Sequence, residues 1–212
     1  RQMCIRDRAG DRDALAKQLD EQAAQNNGQH NPIARKALGQ VYLEKKEYAK
    51  AIPQLARAAE LQPNDAETYK ALIECYDKLG DKDEAIRQVL RSLDLNRRDI
   101  EAYKDLGKRY VSLGNRGQAE RAYTSIVEAL PSESESHAAL AEVRQDQNRW
   151  EEAVVQWEQV ARIRALEPTG LLKLAEAQIH LQRWDDAQAT LHKLESRSWP
   201  GRGARGHHWH RL

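Results

Sequence analysis

The sequence predicts an all-α fold built from a row of similar helix pairs. Three observations carry that prediction. Ala51, Ala85, Ala119, Ala153 and Ala187 stand at a constant interval of 34 residues. Leu38, Leu72, Leu106, Leu140 and Leu174 keep the same interval, 13 residues ahead of each alanine. Between the two rows lie Gly80, Gly114 and Asn148, residues suited to the left-handed backbone that ends a helix. Alanine and leucine are common, so one match means little, but five at two phases mark an internal repeat.

Each repeat divides into two helical halves. In the first, Leu38, Gly39 and Tyr42 show the i, i+1, i+4 spacing of a buried helix stripe. Ala51, Leu55 and Ala58 repeat that stripe in the second half, and Pro63 closes the unit. The later units read Tyr69-Leu72-Tyr76 then Ala85-Val89, and Tyr103-Leu106-Gly107-Tyr110 then Ala119-Tyr123. The last two read His137-Leu140-Ala141 then Ala153-Trp157, and Leu171-Leu174-Ala175 then Ala187-Leu191. Acids open several second helices, as Asp83-Glu84, Glu151-Glu152 and Asp185-Asp186, where the positive end of the helix dipole favours them. The packing logic is small against large. Gly or Ala on one helix and the fixed Ala on the other let the pair approach, and Leu with the aromatics fills the space against the next unit.

These residues resemble the tetratricopeptide repeat family, whose 34-residue pattern is an aromatic, Leu-Gly, Tyr, Ala, a large apolar residue and Pro. The resemblance covers five units, 32–65, 66–99, 100–133, 134–167 and 168–200. Arg144 and Gln178 depart from it at the tyrosine and Arg97 at the closing proline, while Pro53 falls inside a second helix, where it removes a backbone bond. The resemblance implies an α-solenoid of antiparallel helix pairs in a right-handed superhelix, with the first helices lining a concave groove. It also implies a non-catalytic scaffold that binds a partner protein, as a peptide or helix, in that groove. The alternative is an accessory segment of a larger enzyme or envelope or secretion protein.

On the first helices, the residues beside the buried stripe are Lys36/Gln40, Lys70/Glu74, Lys104/Lys108, Ala138/Glu142 and Leu172/Glu176. Members of each pair are four apart and share a helix face. Stacked, they predict a groove that is positive early and acidic at Glu142 and Glu176. Some family members hold acidic peptide tails with a carboxylate clamp; the matching positions here are Lys36 and Gln40, Ala71, and Glu101 and Asp105. Two acids at cation positions repel a carboxylate, so that role is not expected. A later window, Lys104 and Lys108, Ala139, Thr169 and Lys173, is basic but lacks the clamp.

Composition narrows the function further. The chain has 212 residues, is 40% hydrophobic and 32% charged, and has a formal net charge of +1. Residues 9 to 195 hold 27 Lys and Arg against 32 Asp and Glu, a net charge of −5. An acidic body argues against nucleic acid, whose binders neutralise phosphates. No apolar run approaches the roughly 18 residues of a membrane span. Cys4 and Cys75 form neither a disulfide framework nor a zinc set. Cys75 reads as a buried thiol, His137 as packing, Trp157 as core, and Trp150 and Trp184 as braces of their helix pairs, like Tyr48. No catalytic set, metal site or cofactor is expected. Compartment, partner identity and oligomeric state stay open.

The ends read differently. Met3-Cys4-Ile5-Arg6-Asp7 looks like a translated sequencing adaptor, so residues 1–10 are expected to be an artefactual or disordered leader. Residues 11–31 are expected to be an N-terminal helix and linker, with Leu15, Leu19 and Ala23 on the buried face and Gly28 past its end. Lys17 falls where the repeated alanine belongs. In the tail, 201–212, Gly201 to Gly206 satisfies G-x-G-x-x-G without the strand and helix that a dinucleotide site requires. With His207, His208 and His210 it is read as a disordered or out-of-frame end, and the natural protein is expected to continue beyond it.

Overall fold

The structure, a computed structural model, describes residues 2–24 and 31–196, with side chains described for 11–22 and 31–196. Among the described residues there are eleven α-helices and no strand. The chain divides into two compact units, Arg1–Leu113 and Gly114–Leu212, so the boundary falls inside the third repeat, after its first helix. The expectations at Gly28, at Trp199-Pro200 and for residues 201–212 lie outside the described residues.

The first unit holds α1 (Gln2–Ala24), α2 (Pro32–Glu44), α3 (Tyr48–Leu61), α4 (Ala66–Leu79), α5 (Lys82–Leu95) and α6 (Ile100–Ser112). Short polar side chains start most of these helices. Asn31 Oδ1 accepts from the backbone N–H groups of Ile33 and Ala34 at 3.0 and 3.2 Å, with Pro32 in the first turn. Asp65, Asp81 and Asp99 cap α4, α5 and α6 in the same way. Pro53 lies within α3, which continues through it. The core gathers Ala51, Leu55 and Ala59 of α3 with Tyr69, Leu72 and Cys75 of α4, so it lies between one helix pair and the next.

The second unit holds α7 (Arg116–Ala129), α8 (Ser134–Asp146), α9 (Trp150–Ile163), α10 (Thr169–His180) and α11 (Trp184–Ser196). Its core joins Ala153, Val154, Trp157 and Val160 of α9 to Ala141 of α8 and to Leu174 and Ala177 of α10. A close approach outside the expected seam joins α9 and α10: a Cβ on Gly170 would stand 2.7 Å from the backbone nitrogen of Ala161.

The two sequence rows behave as predicted across both units. All five repeated alanines are buried to 3% exposure or less, and the five leucines are buried as well. The turn between halves is also periodic. Lys46, Gly80, Gly114, Asn148 and Gln182 have φ of 61, 79, 74, 58 and 59°, at the same 34-residue interval. Lys46 and Gln182 were not expected there, because a left-handed lysine or glutamine has no composition signal.

Three expectations need correction. The first helix starts at Gln2, ahead of Asp11. Among its described side chains, 11–22, the buried one is Ala16, packed with Leu38, Val41 and Leu19, whereas Leu15 is exposed and Ala23 lies outside that range. Ala16 therefore fills the place sought at Lys17, one residue out of phase. Finally, Trp184 does not brace its helix pair: it is 61% exposed.

Candidate functional site

On the first helices of the first unit, three of the candidate lysines are paired with acids. On α2, Lys36 Nζ donates to Asp65 Oδ2 at 2.7 Å. Asp65 also accepts from the Thr68 hydroxyl at 2.7 Å and from the Glu67 backbone N–H at 3.2 Å. Burial works to raise the Asp65 carboxyl, but these donors together hold it below its ordinary value. On α4, Lys70 bonds Glu67 at 2.9 Å, which raises its pKa, with a further contribution from the charge of Asp99. On α6, Lys104 meets Glu101 at 3.3 Å.

The sequence explains the difference among the three. Glu67 and Glu101 stand three residues before Lys70 and Lys104, a helical neighbour spacing. The same position before Lys36 holds Ile33, so Lys36 turns to the cap of the next first helix instead. Ile33 lines a pocket of about 320 Å³ together with Pro32, Lys36, Ala58, Gln62, Asp65 and Thr68. Lys108 is exposed and has no acidic partner among the described residues. Gln40 is half-buried and Glu74 exposed. At the end of α6, Arg109 binds Asp77 at 2.8 Å and Asp105 at 2.6 Å, which raises its pKa.

The positions that match a carboxylate clamp carry other contacts. Ala71 is buried, and Glu101 and Asp105 are tied to Lys104 and Arg109.

In the second unit, Glu142 of α8 and Glu176 of α10 are exposed, and Glu176 pairs with Lys173 at 2.7 Å. Their expected companions are not surface residues of the same kind. Ala138 packs against the Ala141–Trp157 core, and Leu172 against Leu171 and Leu194.

Three residues read as structural, Trp157, Cys75 and His137, are buried. Cys75 is buried, and burial first, then the charge of Glu74, pushes its thiol up to about 11. His137 is buried, with Nε2 3.1 Å from the Pro131 carbonyl and Nδ1 2.9 Å from the Gln156 side chain.

Sequence reasoning missed one polar cluster. Arg144, at a tyrosine position, is only 3% exposed. Its guanidinium donates to both carboxylate oxygens of Glu120, one at 3.0 Å, and to the Gln147 side chain at 3.0 Å. Arg149 reaches the same Glu120 at 2.8 Å and Glu152 at 2.6 Å. The Arg144 hydrogen bond, against desolvation and with help from Arg149, holds Glu120 below its ordinary pKa. The signal lay in the departure itself, since a buried cation requires a counter-charge.

Stacked helix pairs with a buried small-residue seam and exposed first-helix side chains define the class: an all-α helical-repeat protein. Tetratricopeptide repeat profiles match residues 42–110, residues 4–66 and 104–169, and residues 169–198. The chain belongs to the tetratricopeptide repeat family. Among solved structures it is similar to MamA, with 22% identity and a TM-score of 0.51, over 75% of this chain and 92% of that one. It is also similar to a tetratricopeptide repeat protein from Parabacteroides merdae ATCC 43184, with 16% identity and a TM-score of 0.50, over 89% and 73% of the two chains. At these identities the likeness concerns the fold alone. A search of curated proteins returned no match. No described helix is long and apolar enough to cross a membrane.

Proposed function

We propose that the chain is a non-catalytic protein-interaction scaffold whose first helices receive a partner peptide or helix. Its membership of a repeat family built from stacked helix pairs supports this reading. The candidate contact residues are Lys36, Gln40, Lys70, Glu74, Lys104 and Lys108 in the first unit, and Glu142 and Glu176 in the second. The observation that carries most weight is the state of the lysines on α2, α4 and α6. Lys36, Lys70 and Lys104 each have an acid in hand, and among the described residues Lys108 does not. A carboxylate on a partner therefore meets an available cation at Lys108, with Lys104 one turn away.

The test compares affinity capture by the tagged chain with capture by the Lys104→Glu/Lys108→Glu variant. A specific partner should lose about tenfold in affinity, about 1.4 kcal/mol, while far-ultraviolet circular dichroism stays unchanged. Retention that ignores both lysines while responding to substitutions elsewhere would remove this assignment.

A further inference from the structure

Ile33, in the first turn of α2, is 74% exposed. At the same place in the next three repeats stand Glu67, Glu101 and Glu135, ion-paired with Lys70, Lys104 and Arg164 respectively. One exposed isoleucine is ordinary surface. This one forms the lip of the pocket of about 320 Å³ between the start of α2, the end of α3 and the start of α4.

The second unit shows how the equivalent place is filled elsewhere in the chain. The counterparts of Ala58, Gln62 and Thr68 are Val160, Arg164 and Gly170. Val160 is buried in the core between α9 and α10, and Arg164 pairs with both Glu135 and Glu167. Gly170 lets the two backbones meet, where a Cβ would stand 2.7 Å from Ala161 nitrogen. In the first unit Ala58 brings a methyl group in place of the valine side chain. Gln62 brings an amide in place of the guanidinium, and a side chain at Thr68 does not permit the glycine's approach. The pocket is the space that these exchanges leave.

Its lining decides the guest. Lys36 and Asp65 pair with each other at 2.7 Å, and Asp65 also accepts from the Thr68 hydroxyl and the Glu67 N–H. Their charges cancel, so an ionic guest would give up its water beside a pair already satisfied. Pro32, Ile33 and Ala58 supply apolar wall, and the Gln62 amide suits a peptide group. The volume is at the lower end for ligand sites, enough for one side chain with its flanking peptide groups. Where Ala58 stands, the later second helices carry Ser92, Ile126, Val160 and Leu194. Apart from Ser92, the protein's own filling at this place is a branched aliphatic group.

We propose that this pocket is an anchor subsite that takes one branched aliphatic side chain, such as leucine, from a partner polypeptide. That the side chain belongs to a partner rests on the scaffold reading under Proposed function. The preference of the pocket itself is measured apart from it.

The probe is N-acetyl-leucinamide, uncharged and carrying one side chain between two peptide groups. Titrated into the ¹⁵N-labelled full chain, it should shift the Thr68 and Gln62 amide signals with a dissociation constant on the order of 1–10 mM. N-acetyl-glycinamide, without the side chain, and N-acetyl-argininamide, with a cation, should each bind at least about tenfold more weakly. Ala58→Ile fills the pocket with the residue that α7 carries at this place, and should weaken the leucine probe at least about tenfold. Ile33→Glu restores the acid of the later repeats on an exposed site that needs no repacking, and should weaken it about fivefold with helicity unchanged. No shift up to about 100 mM, an arginine probe that binds as well, or leucine binding that survives both substitutions overturns the proposal. Partner capture and the leucine response are separate readouts. Capture that responds to Lys104→Glu/Lys108→Glu without any leucine response removes the pocket alone. A leucine response with capture indifferent to those lysines removes the lysine assignment alone.

Discussion

The two units meet the same packing requirement with different chemistry. In the first, the tyrosine late in each first helix is kept as Tyr42, Tyr76 and Tyr110, and four helices begin on a capping Asn or Asp. In the second, Arg144 and Gln178 take the tyrosine positions, and Asn115 is the one side chain seen to cap among α7 to α10. Both replacements are buried, and both are satisfied: Arg144 by Glu120 and Gln147, Gln178 by the Thr190 hydroxyl at 2.9 Å. The repeat therefore constrains the volume and position of this side chain more than its polarity. A polar residue is accepted there once neighbouring helices supply its partners.

Close approach separates the units most sharply. A Cβ on Gly170 meets the backbone of Ala161 and Val160, whereas a Cβ on Gly39 meets the Leu55 side chain at 2.5 Å. Backbone does not yield as a side chain does. Gly170→Ala should cost about 3 kcal/mol or more, and Gly39→Ala about 1–2 kcal/mol as Leu55 repacks. Urea unfolding of both variants checks the order, and equal costs would erase this contrast.

The buried cation comes next. Arg144→Ala should destabilise the second unit by about 2–3 kcal/mol, less than a fully buried pair because Arg149 still holds Glu120. Arg144→Tyr should stay within about 1 kcal/mol of the parent. Acid sharpens the same point. The pKa of Glu120 is depressed in the folded state, so its contribution is complete above the ordinary glutamate value and is lost as pH falls through the depressed one. Between about pH 5 and about pH 3, Arg144→Ala should therefore lose stability less steeply than the parent. Hydrogen exchange resolved by segment places the effect in α7 to α9.

Helix starts give the smallest effects. Asp65→Ala removes the cap of α4 and strands Lys36, and should cost about 1–2 kcal/mol. Glu133, whose side chain does not cap α8, offers the reverse experiment: Glu133→Asp should gain about 0.5 kcal/mol. Thermal melts that move in the same direction for both would contradict the assigned difference in capping.

Much of the fold was legible because its signals are local and recur. A residue buried at one place in the period is buried at the next, so Ala51 and Ala187 report the same environment 136 residues apart. Phase reasoning failed where the interval changed by one residue, at Ala16, and where backbone rather than composition carried the signal, at Lys46 and Gln182. The candidate site was legible only as positions. Lys36, Lys70, Lys104 and Lys108 look alike in sequence, yet among the described residues three have an acid and one does not.

The periodic alternation of small and large residues was enough to specify helix pairs, their boundaries and the buried seam, because helix propensity and burial pattern act over a few residues and repeat. Charge and exposure were decided in three dimensions. Lys36 reaches Asp65 across 29 positions, and Glu120 meets Arg144 across 24. Trp150 and Trp184 occupy the same place in the period, but His180 covers one while the other stays open. Such differences depend on which side chain a neighbouring helix brings within about 4 Å, a distance no spacing along the chain encodes.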